Sequence, residues 1–289
     1  MKRAGDIPRL SKEQVLEAQK LSNPEARFIV ANYYLAQEMR KRADMQLRHV
    51  GDKELPLETQ GKTTLLQYTA DAFAVIEDQV KKTLQAFAES DPIGQWCLSH
   101  HGIGPVITAG LLAHLDITKA ETAGSWWSFA GLNPDRKWQK GEKRPWNADL
   151  RQICWHAGQC FKRISHNKDA FYGALYRERK RLLVDRNLAG ANAERAKTYK
   201  TQSAEVKKTL AKGQLPDGNI DSQACNYVVK IFLSHLHAVW YWHHHGRPPP
   251  HPYAIAIQGH AHFIRVPNSE LFPGFDQAYY AARAQQAAE

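Results

Sequence analysis

Residues 101–110 have the sequence HGIGPVITAG and lie between two segments whose apolar residues recur at helical spacing. Gly102 and Gly104 give the backbone a freedom that residues with a Cβ lack, and Pro105 suits the first turn of a helix. The stretch therefore predicts a tight corner between two helices. Strand patterns are scarce elsewhere in the chain, so we expect an all-α fold.

A corner of this kind leaves backbone N–H groups unpaired at the start of its second helix, where they can hold a phosphate oxygen without reading a base. The stretch resembles the helix-hairpin-helix motif, a sequence-tolerant binder of nucleic-acid backbone. Replacing both glycines by valine is then expected to abolish binding in a protein that still folds. The alternative is a corner that packs two helices together and contacts no ligand. The candidate binding residues are Gly102, Ile103, Gly104, Pro105 and Val106.

The composition favours a polyanionic partner. The 289 residues include 39 Lys and Arg against 29 Asp and Glu, a formal net charge of +10. Each phosphate that such a surplus neutralises releases condensed counterions, so we expect DNA as the partner, with structured RNA as the alternative. No apolar run is long enough to span a bilayer, and no signal-peptide core follows Met1. These observations predict no membrane partner and a cytoplasmic location.

Two long periodic segments in the first part of the chain predict an antiparallel helical hairpin. Apolar residues recur at helical steps over residues 24–49 and again over residues 63–90. Residues 1–22 lack such a pattern and are expected to be a loosely attached leader. The predicted domains are an N-terminal helical extension over 1–62, a helix-hairpin-helix core over 63–188, a polar helical or mobile insertion over 189–218, and a core helix with an irregular tail rich in His and Pro over 219–289.

The loop over residues 133–146 combines cations with tryptophans. Cations for phosphate and aromatic faces for exposed bases are the combination that binds single-stranded or distorted nucleic acid. The alternative is that both indoles pack on neighbouring helices and the cations are only solvated. Asn147 is expected to cap the next helix, which carries one more candidate cation. The candidates are Arg136, Lys137, Trp138, Lys140, Lys143, Arg144, Trp146 and Arg151.

Histidines and cysteines are the residue types in this chain that could ligate a transition metal. His-x-His spacing occurs twice, and imidazole binds zinc readily. On a helix the rings of His235 and His237 lie on different faces and would not chelate together, whereas His260 and His262 could chelate only if their segment is extended. We therefore expect neither a metal nor a cofactor, and favour histidines that stack, bond the backbone or bind phosphate. The four cysteines have no CxxC pair and are expected to be reduced and buried. The histidines are His235, His237, His243, His244, His245, His251, His260 and His262.

Four segments in order resemble the C-terminal domain of the DEDD-type, bridge-RNA-guided insertion-sequence transposases. They are GIGPVITAGLLAHL (102–115), WSFAGLNP (127–134), NADLRQICWHAGQ (147–159) and NKDAFYGALYRERK (167–180). In that family a helix-hairpin-helix is followed by an AGL-P segment, a basic loop, an N-x-x-LR helix and a Y-x-x-x-R helix. The resemblance covers roughly residues 63–245, and the last apolar helix also resembles the family's last core helix.

The resemblance implies a DNA-binding, transposase-like protein of mobile-element or phage origin. The family's RNase-H-like domain with four acidic ligands has no counterpart before the corner, and the loop serine of the family has none in residues 135–146. Backbone binding is therefore the expected function, and no catalytic residue is assigned; the nearest hydroxyls are those of Ser125, Ser128 and Ser165. The alternatives are an active divergent transposase or recombinase, working with a catalytic partner protein or as a homodimer, and an RNA-binding scaffold.

Overall fold

The computed structural model describes residues 7–51, 60–136, 138–250 and 264–286, and within these ranges it contains twelve α-helices and no β-strand. The predicted all-α fold is confirmed. The helices are α1 (Lys12–Glu17), α2 (Asn23–Gly51), α3 (Gln60–Glu89), α4 (Pro92–Leu98), α5 (Pro105–His114), α6 (Ala123–Phe129), α7 (Ala148–Arg163), α8 (Phe171–Leu188), α9 (Ala193–Thr198), α10 (Ala204–Ala211), α11 (Asp217–His245) and α12 (Phe275–Gln286).

The chain forms two compact units. The first comprises Met1–Leu98 and Gly104–Leu115, and the second comprises Ser99–Ile103 and Asp116–Glu289. The domain boundaries expected from the sequence at residues 62, 188 and 218 stay predictions.

The first unit is built on the predicted hairpin-like pair of α2 and α3. Small buried residues, Ala26, Ala36 and Ala43 on α2 and Ala70 on α3, keep the contact surfaces of the two helices flat. The guanidinium of Arg40 donates from Nε to Glu77 at 2.6 Å and so fixes the pairing of the helices. Helix α5 packs on both members of the pair.

Residues 7–22, the described part of the expected loose leader, are attached to the hairpin. Ser11 and Gln14 form a capping box at the start of α1. The backbone N–H of Leu10 donates to Gln79 Oε1 of α3 at 3.0 Å, and Ala18 is buried. The attachment depends on backbone and polar contacts, which leave no apolar periodicity in the sequence.

The second unit is organised around α11, which packs against α6, α7 and α8. Its buried face is apolar and includes Phe232 and Leu236. One carboxylate ties three of the helices together: Asp221 of α11 accepts from Tyr176 Oη and Lys180 Nζ, each at 2.7 Å, and also pairs with Lys162 of α7. Burial raises the pKa of Asp221, but these three donors outweigh it and hold the pKa at about 2.

The polar segment between α8 and α11 holds two short helices, α9 and α10. Its two ends are held together by Asn187, whose Nδ2 donates to Leu215 O at 2.9 Å and whose Oδ1 accepts from Leu215 N at 2.9 Å. Both residues are buried, as is Ala196 of α9. The segment is therefore helical in part and its two ends are held together, while its status as an insertion stays a prediction.

All four cysteines carry free thiols. As expected, Cys97, Cys154 and Cys225 are buried, whereas Cys160 is only half-buried. None of the helices in the described part of the chain is both long and apolar enough to cross a membrane.

Candidate nucleic-acid interface

The predicted corner lies between α4 and α5, and its residues are divided between the two units. In the second unit, Gly102 adopts a φ of +89° and the backbone N–H of Ile103 donates to His100 O at 3.1 Å. In the first unit, Gly104 is the N-cap of α5 and offers no side chain to its amides, and Pro105 follows at the first helical position. Ile103 and Val106 are buried, while Gly104 and Pro105 are partly exposed. The helix-hairpin-helix interpretation and its binding role stay predictions.

We expect Gly102→Val to lower the unfolding temperature by roughly 10 °C, and Gly104→Val to change it far less. A Cβ on Gly102 would lie 2.7 Å from Ile164 Cδ1 at a φ that side chains disfavour, a combined cost of about 3 kcal/mol. A Cβ on Gly104 meets nothing within 4 Å, and a poorer N-cap costs at most about 1 kcal/mol. Circular dichroism melts measure the difference, and equal unfolding temperatures would contradict it. The Gly104 variant is therefore the better one for a binding test, and the expected loss of binding on replacing both glycines stays a prediction.

The basic loop after α6 is closed on itself by its tryptophans. The indole N–H of Trp138 donates to Glu142 O at 2.7 Å, and the Arg144 guanidinium lies 5.1 Å from the Trp138 ring centroid. Trp146 packs against the backbone of Gly131, where a Cβ would approach its ring to 2.8 Å. The indoles thus shape the loop, while the cations Arg136, Lys140, Lys143 and Arg144 are exposed. Lys137 lies outside the described residues.

Beside the start of this loop, four cations from four parts of the second unit line one cavity of about 380 Å³. We call this set the cation cavity: Arg151 of α7, Arg179 of α8, Arg195 of α9 and Lys230 of α11. The opposite wall is the segment from Gly131 to Pro134. Three amide side chains, those of Asn133, Gln223 and Asn226, complete the polar lining.

No carboxylate lines the cation cavity, and no ion pair joins its cations to an acid among the residues that the structure describes. Two of the cations rest on aromatic faces instead. Arg179 Cζ lies 4.5 Å from the Tyr227 ring centroid, and Lys230 Nζ lies 5.5 Å from that of Trp127. Aromatic rings attract a cation without neutralising it, so the charges stay available to an anion.

Two of the cations in the cavity are partly buried, and one pair of cations repels. Burial lowers the pKa of Arg151. Burial lowers the pKa of Lys230 as well, and the neighbouring Arg179 lowers it further. The buried Nε of Arg179 has no hydrogen-bond partner within the described ranges. A bound anion would relieve the repulsion between Arg179 and Lys230.

The sequence identified only part of this site. Arg151 was a candidate, Arg179 was recognised within the family-like motif, and Arg195 and Lys230 were missed. Lys230 did leave a signal, since it is a lone cation within the apolar pattern of α11. Arg195 left none, because its segment is rich in cations that face solvent.

The C-terminal histidines that the structure describes make separate contacts. His235 contacts Tyr172 Oη at 3.0 Å and Ile264 O at 3.1 Å, and His237 contacts Ala120 O at 2.9 Å. His243, His244 and His245 are exposed, and no group of three or more His, Cys, Asp or Glu is placed to hold a metal in the described ranges. His251, His260 and His262 lie outside them.

Comparison with known proteins adds no relative. No family model, no curated protein and no solved structure matches this chain.

Proposed function

We propose that this chain is a DNA-binding protein, related to the DEDD-type transposases, that holds the sugar-phosphate backbone in the cation cavity. The observation that carries the proposal is the convergence of Arg151, Arg179, Arg195 and Lys230 in one cavity without a carboxylate. Guanidinium groups bind phosphate oxygens in pairs of parallel hydrogen bonds, and an ammonium adds a point charge. Contacts of this kind position a strand without reading its sequence.

The lining of the cavity also supports the proposed kinship. Leu132 and Pro134 belong to the AGL-P segment, Arg151 closes the N-x-x-LR segment, and Arg179 ends the stretch from Tyr172 that resembles the family's Y-x-x-x-R helix. Three segments that resemble the family in order along the chain therefore meet at one place. A site shared by the three is a reason for them to occur together.

We expect binding to a DNA duplex that weakens steeply with salt. If the four cations neutralise four phosphates, the slope of log affinity against log salt is about −3.6, which is a loss of roughly 100-fold between 50 and 200 mM KCl. Fluorescence anisotropy with a labelled 25-base-pair duplex of arbitrary sequence measures it. An affinity that is flat across this range would refute the proposal, and so would a protein that binds neither this duplex nor a single strand of the same length at 50 mM KCl.

An RNA hairpin of equal length serves as the second ligand in the same assay. Tight binding to RNA with no binding to DNA would replace the proposal by the RNA-scaffold alternative. The recombinase alternative is favoured by one contact: Ser128 Oγ accepts from Asn133 Nδ2 at 3.2 Å, and Asn133 lines the cation cavity. Strand cleavage with and without Mg²⁺, followed on the same duplex, tests that alternative.

A further inference from the structure

Trp155 is an exposed tryptophan on a well-packed helix. It exposes 56% of its surface, although Trp96 and Trp126 are almost completely buried. Its ring meets the neighbouring His156 edge-on, with 5.0 Å between centroids. An indole gains more than most side chains from burial, so a largely solvated one is unusual on the surface of a helix.

The position of Trp155 relates it to the cation cavity. Residues four apart on a helix are neighbours on its surface, about 5–6 Å apart at Cβ. Trp155 therefore follows Arg151 by one turn on the same side of α7, and Arg151 lines the cavity. In a nucleotide, the base and the phosphate are separated by one sugar. A phosphate held by Arg151 thus places the attached base within reach of the indole.

We propose that Trp155 stacks on an unpaired base of the strand whose phosphates occupy the cation cavity. The preferred substrate is then single-stranded or locally unpaired DNA rather than an intact duplex. In a duplex each base already stacks between its neighbours and presents no free face, whereas every unpaired base offers one to an aromatic ring. This inference rests on the proposed function, because the phosphate contacts bring the strand to the indole.

The test compares Trp155→Ala and Trp155→Phe with the unaltered protein on a labelled 25-nucleotide oligo-dT and on the matching duplex. We expect Trp155→Ala to weaken oligo-dT binding about tenfold and duplex binding less than twofold. Trp155→Phe keeps an aromatic face and should restore most of the lost affinity. Intrinsic fluorescence should be quenched by oligo-dT in the unaltered protein and less so in Trp155→Phe.

The outcomes separate this inference from the proposed function. Salt-dependent duplex binding together with unchanged oligo-dT binding by Trp155→Ala overturns the stacking role and leaves the proposed function standing. An equal loss on both ligands also overturns it, because a general structural effect does not distinguish paired from unpaired bases. A protein that binds neither ligand overturns the proposed function and the inference with it.

Discussion

Replacing Arg179 and Lys230 together by glutamine is expected to lower the affinity for DNA by about 100-fold or more. Each half-buried, charge-assisted hydrogen bond to phosphate contributes about 1.5–3 kcal/mol, and two such losses correspond to at least two orders of magnitude. The slope of log affinity against log salt should become shallower by about 1.8, which is the contribution of two phosphates. Anisotropy titrations over a range of KCl concentrations give both quantities.

The matched control removes the same charge from a different surface. Lys207 and Lys208 lie on α10, are exposed, and have no ion-pair partner in the described part of the chain. Lys207→Gln with Lys208→Gln leaves the cation cavity intact and should change affinity only a few-fold. If both double variants lose affinity equally, net charge rather than the cavity determines binding. The cavity variant is expected to fold, since neutralising Lys230 and Arg179 removes a repulsion between them.

Acidification from pH 7 to pH 4 is expected to destabilise the second unit by several kcal/mol. Burial lowers the pKa of His237 to about 4 against the upward effect of its bond to Ala120, and burial also lowers that of His100 to about 4. In the unfolded chain both titrate near 6.5. The stabilising contribution is therefore complete above pH 6.5 and is lost as pH falls towards 4, because the unfolded state takes up protons first. Each histidine accounts for a loss of about 3 kcal/mol in the free energy of unfolding by pH 4.

His237→Gln tests this origin of the acid sensitivity. Glutamine keeps a neutral donor for the Ala120 carbonyl but does not titrate, so the fall in unfolding temperature between pH 7 and pH 4 should become clearly shallower. His166→Gln removes an exposed histidine and should leave the curve unchanged. Identical pH dependence of the unaltered protein and His237→Gln would show that other groups control the transition. Asp221 does not affect this comparison. Its pKa is lowered to about 2, so its contribution to stability is lost mainly below pH 4.

Features formed by residues close together in the sequence were predictable. Features formed by residues far apart in the sequence were not. The hairpin of α2 and α3 follows from apolar periodicity over long segments. The N-cap of α7 follows from residue type, and Asn147 Oδ1 accepts from Leu150 N at 2.8 Å as expected. The cation cavity depends instead on how α7, α8, α9 and α11 pack, and its members are up to 79 residues apart, from Arg151 to Lys230. No pattern within a single segment predicts that side chains from four different helices line one cavity.

The basic loop over residues 133–146 also shows how far prediction from the sequence reaches. Alternating cations and indoles predict an open platform for bases, yet Trp138 bonds within the loop and Trp146 packs on Gly131. The residue types can be read from the sequence, whereas the path of the backbone decides which side chains face solvent. Trp155 on α7, outside this loop, is the more exposed indole at 56%, against 36% for Trp138.

The side chain of Asn187 makes two hydrogen bonds to the backbone of Leu215. We therefore expect that the segment between these residues can be replaced. Because its entry and exit are bridged by a single side chain, a replacement of different length can be grafted there without rerouting α8 or α11. Arg195 lies on this segment, whereas Arg151, Arg179 and Lys230 lie on α7, α8 and α11. A change in this segment would therefore alter one of the four cations and leave the other three in place.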